Sequence, residues 1–482
     1  FLPAVLAGYF GLCRMKRHTW ARGFLAAMSL VFFAYANPWY LGLLVGSAVF
    51  NWAVSRVLAG EGNKETAKGN GKTPDRTDGK KSGRRMVLVF GICANLALLF
   101  YFKYTNFFIE NLNAFLGKDI AFTRLLLPVG ISFFTFQQIA WLVDSFCMET
   151  GDYSFWDYFL FTVYFPKIAM GPILLHGEFM PQLKDPSRLK ADSRNMAEGL
   201  MILAVGLFKK VILAEFFAGP VNWGYAQVEI LSSTDAFLVM LAYTFQLYFD
   251  FSGYCDMAMG ISRMFNLELP LNFNSPYKAL SPVEFWKRWH MTLTRFLRTY
   301  IYFPLGGSRK GSLRTYMNIM IVFLVSGFWH GAAWTFILWG ALHGAAQALN
   351  RVFKRQWENL HTAFRWMATF LFVNLTWVIF RSESISQAKL FLKRLLDFGN
   401  MQINPSFMDS FKMVELPLWL TGHRVFTVLG LYGIVLCLVM NARNMGETEL
   451  RPTFLRGAGT ALLLVWSVLS LAGISGFIYF QF

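Results

Sequence analysis

Two histidines in opposite surroundings carry the strongest chemical signal in this 482-residue sequence. His330 sits in MNIMIVFLVSGFWHGAAWTFILWGALHG, where only His330 and His343 can carry charge. An ionisable group inside so apolar a run is costly to keep unless it is used, so the first reading is a functional site. His290 lies in EFWKRWHMTLTRFLRTYIYFPLGGSRKG, which is basic and aromatic. A buried imidazole facing a cationic apron implies a membrane enzyme that handles an anionic donor.

The apron spans Arg263 to Arg314, with nine Lys or Arg against Glu268 and Glu284. Ser281, Pro282 and Glu284 form a helix-start pattern, and Trp286, Trp289, Leu293, Phe296 and Leu297 fall on one face, as in an amphipathic or re-entrant helix at the cytoplasmic surface. Its cations suit lipid headgroups, and they also suit the phosphates of a cofactor such as coenzyme A, because guanidinium forks bind phosphate bidentately. Arg288, Arg295 and Arg298 are the candidate phosphate contacts. His343 lies 13 residues past His330, on another helical face, and reads as structural. His18, His176, His361 and His423 fall in loop or interface positions. Asp250 and Asp256, in FDFSGYCD, read as buried carboxylates bonded to backbone or tunnel waters. HExxH, P-loop, GxSxG and Cys/His metal spacings are missing, and Cys13, Cys93, Cys147, Cys255 and Cys437 form no CxxC pair. Neither metal chemistry nor a disulfide framework is expected.

The elements that hold these residues must be membrane helices. The sequence is 55% hydrophobic, 18% aromatic and only 15% charged, far more apolar than a soluble domain. Its net charge of +17 is spread over short segments between apolar runs, which orients a membrane protein and does not describe a nucleic-acid binder. Phe1 to Cys13 is apolar but shorter than the roughly 20 residues a span needs, and reads as a truncated first helix, not a signal peptide. The segment 59–85 has eight basic and four acidic residues and no aliphatic side chain beyond alanine, so a disordered cytoplasmic loop is expected. Apolar segments through residue 480 bring the total to roughly 11–13 membrane segments, some short or broken. Pro128, Pro166, Pro172, Asp250 and Asp256 interrupt them, and broken backbone at membrane depth is tolerated where it lines a cavity. The expectation is an all-α polytopic membrane protein, one domain over 1–482, with re-entrant or broken helices around a central tunnel. A transporter relaying protons through His330 and Asp250 is the alternative, weakened because no internal repeat is visible.

The motifs PVGISFFTFQ, YFPKIAMGPI, YFDFSGYCDMAMG, LPLNFNSPY, SPVEFWKRWHMTL, FPLGG, SGFWHG and the terminal FIYFQF occur in this order over nearly the whole chain. In them the sequence resembles the bacterial branch of the membrane-bound O-acyltransferase family, closest to the alginate O-acetyltransferase type. The resemblance implies that His330 is catalytic and that His290 occupies the family's upstream histidine or asparagine position. It also implies a donor thioester, most simply acetyl-CoA, with no permanently bound cofactor, and O-acetylation of an extracytoplasmic polysaccharide or peptidoglycan across a bacterial inner membrane. An SGNH-type partner outside the membrane would receive the acyl group. D-alanyl transfer to teichoic acid is the other reading within the family. The tail resembles an aromatic motif whose tyrosine relays acyl groups, which makes Tyr479 a relay candidate; an interfacial anchor is the plainer explanation. The chemistry agrees with this, since moving an acyl group from thioester to hydroxyl needs a base, and a neutral imidazole in a low-dielectric site suits the task.

Overall fold

The computed structural model describes residues 1–36, 38–59, 78–122, 125–151, 153–411, 424–442, 444 and 451–471. Regular structure among the described residues is helical throughout. Tyr479, His423 and most of the expected loop, residues 60–77, lie outside them. The end of that expected loop differs from expectation, because a helix begins at Asp78 and runs on into the apolar segment that follows.

The described residues group into two compact units, Phe1–Leu200 with Ala258–Pro270, and Met201–Met257 with Leu271–Phe482. In the first unit, α1 (Leu2–Arg14), α2 (His18–Ala36), α3 (Leu41–Ala59), α4 (Asp78–Lys103), α5 (Thr105–Leu116), α6 (Ile131–Cys147) and α7 (Phe155–Val163) pack together. Polar side chains tie three of these helices. Asn51 on α3 and Asn95 on α4 exchange amide hydrogen bonds of 3.1 and 2.7 Å, and Ser47 donates to Gln138 on α6 at 2.7 Å. Such bonds join helices whose apolar faces are no more attracted to each other than to lipid.

In the second unit, α8 (Ser193–Phe208, its last eight residues here) runs into a π-helical turn, Lys209–Ala214, and on into α9 (Glu215–Ala226). Alongside lies α10 (Ser233–Met264). A Cβ placed on Gly206 would lie 2.7 Å from the Gly253 carbonyl oxygen, so glycine lets these two backbones touch. The buried carboxylates of α10 are held differently from expectation. Asp250 pairs with Lys210, and Asp256 pairs with Lys209 at 2.6 Å, so their partners are ammonium groups. Charges this deep persist when paired.

The amphipathic helix expected around His290 is broken in two, α11 (Pro282–Trp286) and α12 (Met291–Leu297). The break is at His290, whose φ of +45° cannot continue a helix. All five apolar residues assigned to one face are nevertheless buried. After a glycine-containing turn the chain forms a tight hairpin of α13 (Ser312–His330) and α14 (Trp334–Val352). Added Cβ atoms on Gly327 and Gly340 would come within 2.3 Å of Phe336 O and 2.4 Å of Phe323 O, so the hairpin closes only with glycine there. His330 is thereby fixed at its tip. The helices α15 (Thr362–Arg381) and α16 (Ile385–Leu395) follow.

Among the described residues three helical segments are long and apolar enough to cross a membrane, Pro38–Ala59, Ser82–Lys103 and Thr362–Arg381, and Leu2–Arg14, Val425–Asn441 and Phe454–Leu469 are apolar but shorter. Other apolar stretches of the sequence are interrupted, as by the π turn at Lys209 or the break at His330. The count of 11–13 includes such short and broken pieces.

Candidate active site

His330 is the last residue of α13 and is 3% exposed. Its ring is enclosed by aromatic faces, with centroids at 4.9 Å for Trp329, 5.2 Å for Trp339 and 5.4 Å for Phe380. Three elements supply this enclosure, since Trp339 comes from α14 and Phe380 from the end of α15. His290 is the N-cap residue of α12 and is fully buried, with the ring centroid of Phe251 at 4.8 Å, perpendicular to it, and that of Trp329 at 6.1 Å. The structure brings the two histidines together, ring centroids 6.4 Å apart. His290 is therefore part of the interior beside His330 and not part of an exposed apron.

His343 matches its structural reading in detail. The Trp286 indole donates to Nδ1 at 3.1 Å, and an indole can do nothing but donate. The proton of His343 is thus on Nε2, which lies 3.0 Å from Thr376 Oγ1, itself donating to the Val373 carbonyl. Both ring nitrogens are consumed. His343→Ala is expected to cost about 1–3 kcal/mol of stability through the stranded indole, with the rate of the remaining folded protein close to wild type; thermal unfolding beside specific activity checks it.

His176 Nε2 meets Asp144 at 3.3 Å, His361 accepts from the Ala363 amide at the start of α15, and His18 opens α2. The three candidate arginines have different surroundings. Arg288 is held by Glu284 at 2.9 Å and donates to Asn274 O, Arg298 is exposed over the Phe303 ring, and Arg295 is half-buried. A cavity of about 640 Å³ nearby is lined by other cations, Lys287, Arg351, Lys354 and Arg365, together with Glu284 and Glu358. Arg351, Lys354 and Arg365 are not among the candidates that the sequence offers. Arg351 and Lys354 belong to a basic turn at the far end of α14, the same end of the hairpin as Arg309, Lys310 and Arg314, and Arg365 lies in the first turn of α15.

Residues 148–386, which include both buried histidines, match the model of the membrane-bound O-acyltransferase family. A peptidoglycan O-acetyltransferase from Helicobacter pylori is 41% identical over 433 residues, 84% of this chain and 79% of the relative. The chain belongs to the membrane-bound O-acyltransferase family. This membrane-bound O-acyltransferase is also similar to a probable alginate O-acetylase from Azotobacter vinelandii, 33% identical over 90% of this chain and 84% of the relative. A teichoic acid D-alanyltransferase from Lacticaseibacillus rhamnosus is 25% identical over 70% of this chain and 82% of the relative. The resemblance carried by the sequence motifs is thus borne out, and with it a helical membrane enzyme of the O-acyltransferase class.

Proposed function

We propose that this O-acyltransferase, as a multi-pass protein of a bacterial inner membrane, moves an acetyl group from a cytoplasmic thioester to a hydroxyl on an extracytoplasmic glycan. The observation that carries the reading is the pair of buried imidazoles, 6.4 Å apart inside an aromatic enclosure. His330 takes the proton of the acceptor hydroxyl as its oxygen attacks the thioester carbonyl. The C–O bond forms, the C–S bond breaks, and the proton leaves with the thiolate. The similarity to a peptidoglycan O-acetyltransferase exceeds that to an alginate O-acetylase, which favours peptidoglycan as the final acceptor. An SGNH-type partner outside the membrane completes delivery to the polymer.

The donor is acetyl-CoA, bound as a substrate. Because α13 and α14 form a hairpin, Arg309, Lys310, Arg314, Arg351, Lys354 and Arg355 gather at one end, the cytoplasmic end by the positive-inside rule. The cavity there takes the donor's phosphates among Lys287, Arg351, Lys354 and Arg365. Ile319 on its wall precedes His330 on the same helix by about 16 Å at 1.5 Å per residue, a span that an extended phosphopantetheine arm covers. The doubly reversed variant Arg351→Glu with Lys354→Glu should raise the KM for acetyl-CoA about tenfold or more, leave kcat within about twofold, and weaken the dependence on salt. Kinetics of purified protein in nanodiscs test this, with D-alanyl carrier protein as the competing donor. An unchanged KM would remove the donor from this cavity, and preferential use of D-alanyl carrier would move the enzyme to the teichoic acid class.

A further inference from the structure

The segment LPLNFNSPY has so far done nothing in the reaction, although it runs beside His290. Asn274 N donates to Arg288 O at 2.8 Å, and the fully buried Asn272 meets three successive residues of the other strand of chain. Met291 N donates to the Asn272 carbonyl at 3.0 Å. Thr292 donates to Asn272 Oδ1 twice, from its amide at 3.2 Å and its hydroxyl at 3.0 Å. His290 Nδ1 lies 3.1 Å from the same oxygen. On its other side, Asn272 Nδ2 donates to Cys255 Sγ at 3.3 Å.

We infer that Asn272 is the positioning residue that decides which nitrogen of His290 is basic. The orientation of its amide follows from chemistry. A backbone N–H can only donate, so the atom facing Thr292 N must be the oxygen; a flipped amide would set donor against donor. That same oxygen faces His290, so Nδ1 carries the proton, and the neutral ring holds its lone pair on Nε2. These bonds also offset the strain of a non-glycine residue at φ +45° and ψ 52°. The clamp therefore sets both the backbone and the ring of His290.

The groups around the ring make the choice of an amide meaningful. Phe251 packs from α10, and Trp329 and His330 from α13. The carboxylates of α10, Asp250 and Asp256, are matched by Lys210 and Lys209, and Arg288, two residues before His290, is matched by Glu284. A carboxylate at position 272 would hold the ring as imidazolium. An amide oxygen orients it and leaves it neutral, so Nε2 is presented as a second proton acceptor in the enclosure that holds His330. This consequence rests on the acyl-transfer reading; the tautomer does not.

Solid-state ¹⁵N NMR of histidine-labelled protein in bilayers reads the tautomer directly, with His290→Gln assigning the signal. The expected wild-type state at neutral pH is Nδ1–H with Nε2 unprotonated; an Nε2–H or doubly protonated ring would overturn the inference. Asn272→Ala should let the Nε2–H form appear. Asn272→Asp, of nearly the same shape, should fold, and should shift the acid limb of the pH–rate profile upward by about 1–3 units as the new carboxylate favours imidazolium. An unmoved acid limb with a folded Asn272→Asp protein would leave Asn272 a structural clamp only. If the NMR result is as expected and glycan acetylation is not observed, the positioning inference stands and the proposed reaction falls.

Discussion

His330→Ala is expected to reduce acyl transfer by about 10²–10⁴-fold while the protein still inserts and folds, because the proposed reaction uses this side chain as its proton acceptor. The ring is 3% exposed and sits at the end of α13, where Trp329, Trp339 and Phe380 enclose it. Alanine there loses aromatic contact, but it leaves no buried charge behind, so the main loss falls on rate. Turnover of purified variant in nanodiscs, set beside its thermal unfolding curve, separates the two. Near-normal turnover in a well-folded variant would take the central role from His330.

Lys210→Met should have the opposite profile, a large loss of stability before any specific loss of chemistry. Lys210 is the ammonium partner of Asp250, which is fully buried, and Glu215 lies 3.8 Å from the same nitrogen. Removing the cation leaves acidic groups in a low-dielectric interior, which costs about 3–5 kcal/mol when one partner of a buried pair is deleted. Pairing the change with Asp250→Asn should recover a substantial part, since a neutral amide replaces the stranded carboxylate. Unfolding in detergent, followed for both single variants and the double variant as a cycle, measures the coupling. Additive effects would mean the two side chains do not stabilise each other.

The parts of this enzyme that could be read in its sequence are those carried by local composition. The apolar setting of His330, the basic turns and the ordered motifs were enough for the helical membrane class, the family and the two histidines that the structure places side by side. What the sequence hid depends on contacts between distant segments. Nothing local to FDFSGYCD shows that Asp250 and Asp256 face Lys210 and Lys209, some forty residues earlier, because helix periodicity does not say which helix lies opposite. The break at His290 was hidden for the same reason. SPVEFWKRWHMTL has one continuous amphipathic period, and the residue that interrupts it, Asn272, belongs to another motif. The basic cavity was not legible either, because charge density along the chain does not say which cations meet in space. Arg288 is paired with Glu284, and the cavity's cations come from the end of α11, from α14 and the turn after it, and from α15.

The account stands most directly on whether the acetyl group is transferred covalently. Proteoliposomes loaded inside with acetyl-CoA carrying a labelled acetyl group, and supplied outside with peptidoglycan fragments and an SGNH-type partner, provide the measurement. The account predicts alkali-labile O-acetyl esters on the external glycan, formed by wild type and lost with His330→Ala. Label appearing outside only as intact donor or free acetate, to the same extent in both proteins, would contradict it and make the protein a conduit.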